Sequence, residues 1–182
     1  MNRRAFTISA LGSLCWAALS ATGCAATGSS DAAAPANIEP GIKGLSPDPE
    51  KIEKVTRTET EWKAALSSDS YNILREKGTE RPFSGRYWDN HAVGTYLCAG
   101  CGLALFRSED KFESGTGWPS FTRVIAADRV SVGSDTSLGM VRDEVDCARC
   151  GGHQGHVFDD GPKPTGQRWC INSASLVFRA KV

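Results

Sequence analysis

Four cysteines, written CAGC at 98–101 and CARC at 147–150, constrain this chain more than any other feature. Each CxxC half places two sulfurs on one tight turn. The neighbouring glycines (Gly100, Gly102, Gly151 and Gly152) let the backbone make that turn. Two such halves complete a tetrahedral four-thiolate shell, which zinc favours and which leaves no position open for substrate. A centre of this kind is structural, and here it would clamp two parts of the chain with 45 residues between Cys101 and Cys147. That gap is wider than the roughly 15–20 residues of a compact zinc ribbon. Two disulfides are the competing use of the same residues if the protein is exported.

Export is what the first residues suggest. MNRRAFTISALGSLCWAALSATGC sets Arg3 and Arg4 before an apolar run with no acidic residue, a positive n-region followed by an h-region. Paired arginines before Ala5 and Phe6 resemble a twin-arginine signal; an ordinary secretion signal carrying two arginines is the alternative. The run ends in ATGC, which resembles a lipoprotein cleavage site. Residues 1–24 are therefore expected to be an export signal, with Cys24 as a lipidated mature N-terminus. Ala21 stands where leucine is more usual in such sites. A permanent membrane span fits less well, because Gly12, Ser13, Ser20 and Thr22 interrupt a run of marginal length. The expected address is the periplasm or cell envelope. Because a twin-arginine substrate folds before export, metal could load in the reducing cytoplasm.

Residues 25–47 are mostly Ala, Gly, Ser and Pro and bury too little surface to offset their ordering entropy. They read as a flexible linker spanning about 25 Å. Residues 48–182 suit one domain. Once the signal is removed, 19 basic residues face 21 acidic ones, so no basic excess points to a nucleic-acid partner. Oligomeric state is not legible, and a monomer is the default expectation.

The domain opens with helical patterns. Thr58 and Glu61 make a capping box, and SSDSYNILREKG offers Ser/Asp caps, apolar Tyr71, Ile73 and Leu74, and a stop at Gly78. From about Gly94 the texture is short apolar or alternating segments: GTYLCAG, LALFRS, TRVIAA, RVSVGS, GMVRDEVDC, GHVFDD and QRWCINSASLVFR. This predicts a mainly β domain of short antiparallel strands after short N-terminal helices.

One cysteine of the domain, Cys170 in QRWCINSAS, has no cysteine near it. In a strand, Arg168, Cys170 and Asn172 share one face while Trp169 and Ile171 share the other. The second pair can fill a core. The first sets a cation and an amide beside a thiol, and a nearby arginine favours the thiolate. A small buried hydrophobe is the plainer use of a lone cysteine. His153 and His156 lie in the glycine-rich stretch CGGHQGHVFDDG, where a helical metal-binding pair is ruled out by Gly151, Gly152 and Gly155. They are acid–base candidates beside a reactive thiol, or hydrogen-bonded structural histidines. Trp118, in the irregular SGTGWPSF loop, is either a plug over the core or the wall of a pocket for a small apolar group.

Taken together, RPFSGRYWDN, GTYLCAGCGLALFRSEDKFESGTGWPSF and CARCGGHQGHVFDDGPKPTGQRWCINSASLVF resemble the methionine-R-sulfoxide reductases of the B type. The resemblance runs from about Glu61 to Phe178. It implies the antiparallel, Mss4-like β fold of that family, and reduction of methionine-R-sulfoxide, free or in proteins, to methionine. Cys170 would be the nucleophile and would end as a sulfenic acid. His156, His153 and Asn172 would supply hydrogen bonds and a proton. Trp118 would hold the substrate methyl group, and Arg168 would give electrostatic support. Cys98, Cys101, Cys147 and Cys150 would hold one structural zinc.

Two positions depart from the family pattern. Thr116 stands where many members carry a resolving cysteine, so the sulfenic acid is expected to be reduced by an external, thioredoxin-like thiol protein. If Cys24 is not lipidated, it could serve as a resolving thiol instead. Gln154 replaces a usually apolar residue between the histidines; little effect is expected, apart from a change of substrate preference near the pocket. Two other functions compete with the enzyme. The fold is shared with non-catalytic binding modules, and fold does not decide function. A general thiol oxidoreductase would want a redox-active CxxC at a helix N-terminus. Cys170 with its histidines favours the reductase over both.

Overall fold

The structure is a computed structural model that describes residues 51–136, 139 and 141–181. The expected signal, Cys24 and the linker lie outside the described residues.

Two helices lead the domain. In α1 (Glu59–Ala65) the capping box forms as the sequence suggests. The Thr58 hydroxyl accepts from the Glu61 N–H, and the Glu61 carboxylate accepts from the Thr58 N–H at 2.7 Å. Trp62 is the buried anchor of α1, with the Arg57 and Arg75 guanidiniums each 4.9 Å from its ring centre. In α2 (Ser68–Glu76) Ser67 caps the first turn, and Ile73 and Leu74 are buried. This helix stops earlier than its glycine suggests. Lys77, at φ 57°, takes the left-handed position, and the Gly78 N–H closes back on the Asn72 carbonyl at 3.0 Å. The Lys77 ammonium meets Glu144 at 2.8 Å.

Nine strands follow among the described residues: β1 (Gly94–Cys98), β2 (Ala104–Arg107), β3 (Lys111–Phe112), β4 (Ser120–Phe121), β5 (Val130–Asp135), β6 (Arg142–Cys147), β7 (His153–Phe158), β8 (Arg168–Ile171) and β9 (Leu176–Ala180). Every pairing is antiparallel. One sheet has the order β2-β1-β9, the other β3-β4-β8-β7-β6-β5. The segment TRVIAA is not a strand. Its Thr122 and Ile125 N–H groups bond to the Asp110 and Leu105 carbonyls instead, and the ladder before it is only Ser120 and Phe121. QRWCINSASLVFR splits between the two sheets at a single 3-10 turn, Ser173–Ser175.

The core lies between the sheets. Phe106 of β2 stacks on Phe121 of β4 with ring centres 4.4 Å apart, and Tyr96 of β1 meets Phe121 edge-on at 5.0 Å. Trp169 and Ile171 face inward as the β8 alternation predicts, at 7% and 0% exposure. Burying one such side chain contributes about 1.5–3 kcal/mol, and this inner row fixes which face of β8 carries Cys170.

Candidate active site and metal centre

The metal centre is built at strand ends. Cys98 closes β1, Cys147 closes β6, and Cys101 and Cys150 sit on the turns that follow. Those turns are closed by Gly102 N–H to Cys98 carbonyl and Gly151 N–H to Cys147 carbonyl bonds, each 2.8 Å. The four sulfurs lie within 4.8 Å of one another, with Cys98–Cys150 at 3.6 Å and Cys101–Cys147 at 3.5 Å. A disulfide needs about 2.04 Å, whereas sulfurs about 2.3 Å from a tetrahedral zinc stand roughly 3.8 Å apart. The donor set therefore fits one structural zinc ion rather than two disulfides. Cations brace the turns from outside: Arg75 donates to the Cys150 carbonyl, Arg149 to that of Cys101, and Lys54 to that of Ala148.

Gln154 belongs to this centre and not to the substrate pocket. Its side chain is fully buried, and its amide donates to the Gly152 carbonyl at 3.0 Å and to Cys98 Sγ at 3.5 Å. Its side-chain oxygen has no hydrogen-bond partner.

Cys170 sits elsewhere, in the middle of the six-stranded sheet. It pairs with Ser120 of β4 on one side and His156 of β7 on the other. Gly155 makes that approach possible. At φ 153° it carries no side chain, and a Cβ there would stand 2.1 Å from the Cys170 carbonyl oxygen. A pocket of about 270 Å³ opens over the strand. Trp118, His156, Cys170 and Asn172 line it together with Arg168, and Thr79, Thr116, Arg142 and Phe158 complete the wall. Thus five of the six catalytic and substrate residues singled out from sequence share one cavity.

His153 is the exception. It is 2% exposed and points behind His156, its ring centre 5.4 Å from that of His156. Its Nδ1 lies 2.8 Å from Glu144 and 3.8 Å from Asp146. His156 instead meets the Asp135 carboxylate through Nε2 at 2.9 Å, and Arg142 holds that same carboxylate at 2.6 Å. Asn172 is nearly buried; its Oδ1 accepts from the Glu80 N–H and its Nδ2 donates to the Gln154 carbonyl at 3.1 Å. The Trp118 indole N–H donates to the Glu80 carbonyl at 3.1 Å. Arg168 makes a two-pronged bond to Asp160, 2.8 Å on each arm, and lies 4.4 Å above the Phe158 ring.

The electrostatics of the two central groups oppose each other. Burial pushes the Cys170 thiol above its ordinary range, while the Arg168 charge and the Thr116 and Ser120 hydroxyls pull it back. Burial also lowers the His156 imidazole, against the raising effect of Asp135 and with help from the Arg142 charge. At neutral pH the resting pair is therefore a thiol beside a neutral imidazole. The Thr116 hydroxyl, bonded to Ser114 at 2.8 Å, lines the same pocket as Cys170. Besides the four clustered cysteines, Cys170 is the sole cysteine among the described residues.

Asp135, Arg142, Thr79 and Phe158 were not singled out from sequence. The alternation of VSVGSD and RDEVDC hints at a hairpin, but only its register sets Asp135 opposite Arg142.

A closed four-sulfur cluster that fits one zinc ion, and a separate pocket lined by the remaining thiol, define a zinc-clamped β protein with one cysteine free of the clamp. The SelR domain family matches residues 66–180. A peptide methionine sulfoxide reductase MsrB of Methanosarcina mazei is 58% identical over 125 residues, covering 69% of this chain and 89% of its own. The protein of the same name from Thiobacillus denitrificans is 58% identical over 125 residues, covering 69% of this chain and 95% of its own. That of Bradyrhizobium diazoefficiens is 56% identical over 129 residues, covering 71% and 93%. The chain belongs to the SelR-domain, MsrB family.

Proposed function

We propose that this chain is a peptide-methionine (R)-S-oxide reductase whose nucleophile is Cys170. The observation that carries the reading is the placement of Cys170 beside His156, in one pocket with Trp118 and Asn172 and apart from the four-sulfur cluster. Trp118 and Phe158 form the apolar wall for the methyl group of methionine sulfoxide, which selects the epimer. The Cys170 sulfur attacks the sulfoxide sulfur. Its proton passes to His156, which returns it to the sulfoxide oxygen. The oxygen ends on Cys170 as a sulfenic acid and the substrate leaves as methionine. The substrate sulfur gains two electrons and the Cys170 sulfur loses them. A thiol and a neutral imidazole hold the one proton this exchange requires. His153 and Asp135 fix His156 from behind and from the side, Asn172 adds a hydrogen bond at the pocket wall, and Arg168 favours the thiolate.

With Thr116 in place of a resolving cysteine, the sulfenic acid is reduced directly by an external thiol protein of the thioredoxin kind. The N-terminal pattern supports export through a twin-arginine signal, a lipid anchor on Cys24 and a linker over residues 25–47. That address makes oxidised envelope proteins the natural substrates, repaired by a monomer on a tether. A mass spectrum of substrate-treated protein with a sulfenic-acid-trapping dione tests the recycling. A dione adduct on Cys170 is expected; a Cys24–Cys170 disulfide overturns direct reduction.

A further inference from the structure

The irregular segment that links α2 to β1 contains a residue bonded to both walls of the pocket. Glu80 touches Trp118 and Asn172 through its backbone: its carbonyl accepts the Trp118 indole N–H at 3.1 Å, and its N–H donates to Asn172 Oδ1 at 3.2 Å. Its side chain is tied down separately. One carboxylate oxygen accepts from the Ser173 N–H at 2.7 Å, the other from the Ala174 N–H at 3.0 Å. These are the first N–H groups of the 3-10 turn that follows Asn172.

The turn is shaped around that carboxylate. A Cβ on Gly85 would stand 2.4 Å from Glu80 Oε1 and 2.3 Å from the Ser173 hydroxyl oxygen. The Ser173 hydroxyl in turn accepts from the Tyr87 N–H at 3.2 Å. Glu80 thus spends a charged side chain on two neutral backbone donors, bonds that are stronger than neutral ones. What the carboxylate immobilises is its own backbone.

We propose that Glu80 is a positioning residue for sulfoxide reduction: its carboxylate pins the turn after β8, and the backbone so held sets Trp118 and Asn172 in register across the pocket. The proposal rests on the reading that those two side chains contact the substrate. A displacement of about 1 Å in such groups can cost a hundredfold in rate.

The test compares the full-length, zinc-loaded protein with Glu80→Ala and Glu80→Gln on the R and S epimers of a methionine-sulfoxide peptide. Glu80→Ala is expected to lose about 10–100-fold in kcat, with KM changed less. Glu80→Gln keeps one acceptor and is expected to lose less. In both, the Trp118 indole proton, assigned with Trp118→Phe, is expected to lose hydrogen-exchange protection. If Glu80→Ala fails to fold, Glu80→Gln decides through the same readouts. A folded variant with kcat within twofold and a protected indole proton overturns the proposal while the functional reading stands. A wild-type protein inactive on both epimers overturns the functional reading, and this role with it.

Discussion

Cys170 and His156 are moved by one cause in opposite senses. Burial disfavours charge on either group, so the thiol keeps its proton and the imidazole goes without. The alkylation rate of Cys170 by iodoacetamide should therefore keep rising with pH beyond the ordinary thiol range. Arg168 is the main counterweight. Arg168→Gln removes a charge that favours the thiolate, so the midpoint should move up. Alkylation at pH 7 should then slow about tenfold for each unit of the rise. A midpoint unmoved or lowered in Arg168→Gln would contradict an influence of the guanidinium on the thiol. His156→Gln keeps a side chain of similar reach without the proton-carrying ring. It should lose roughly 100–10,000-fold in kcat, measured with the R epimer under saturating dithiothreitol.

At the scale of elements, β7 joins the two centres. Its first residues face the sulfur cluster through Gln154 and its later ones face the pocket through His156. The Gln154 carbonyl also accepts both the backbone and side-chain N–H groups of Asn172. Gly155→Ala drives a methyl group into the β8 backbone. It should destabilise the fold by about 2 kcal/mol or more in urea unfolding. The metal clamp ties the β1 turn to the β6–β7 turn. At zinc a thousandfold above its dissociation constant, the bound ion adds about 4 kcal/mol. Chelation should lower the melting temperature, and added zinc should restore it. A chelated sample with unchanged melting would contradict a structural role. Local devices such as the Thr58–Glu61 capping box and the inward row of β8 were legible in sequence, because they follow from spacings of two or three residues. TRVIAA was misread for the converse reason. Its short apolar run reads as a strand, but its Thr122 and Ile125 N–H groups find carbonyls 12 and 20 residues earlier in the chain.

At the scale of the molecule, the cluster of Cys98, Cys101, Cys147 and Cys150 and the shared pocket of Cys170, His156, Trp118 and Asn172 were both legible, because family motifs carry them. Glu80, Asp135 and Arg142 were not. Glu80 acts on residues more than ninety positions away, and Asp135 depends on the register of one hairpin; neither spacing leaves a mark in a linear pattern. His153 was legible as a residue but not as a location, since its place against Glu144 and the His156 ring, outside the pocket lining, depends on the register of β6 and β7. The central claim is that one thiol, apart from the metal clamp, reduces one epimer. The measurement that tests it most directly offers separate R and S methionine-sulfoxide peptides with dithiothreitol to the zinc-loaded protein and to Cys170→Ser. Turnover of the R epimer alone, lost in Cys170→Ser with zinc content unchanged, is the predicted result. Turnover that survives Cys170→Ser, or a folded wild-type protein that reduces neither epimer, would contradict it.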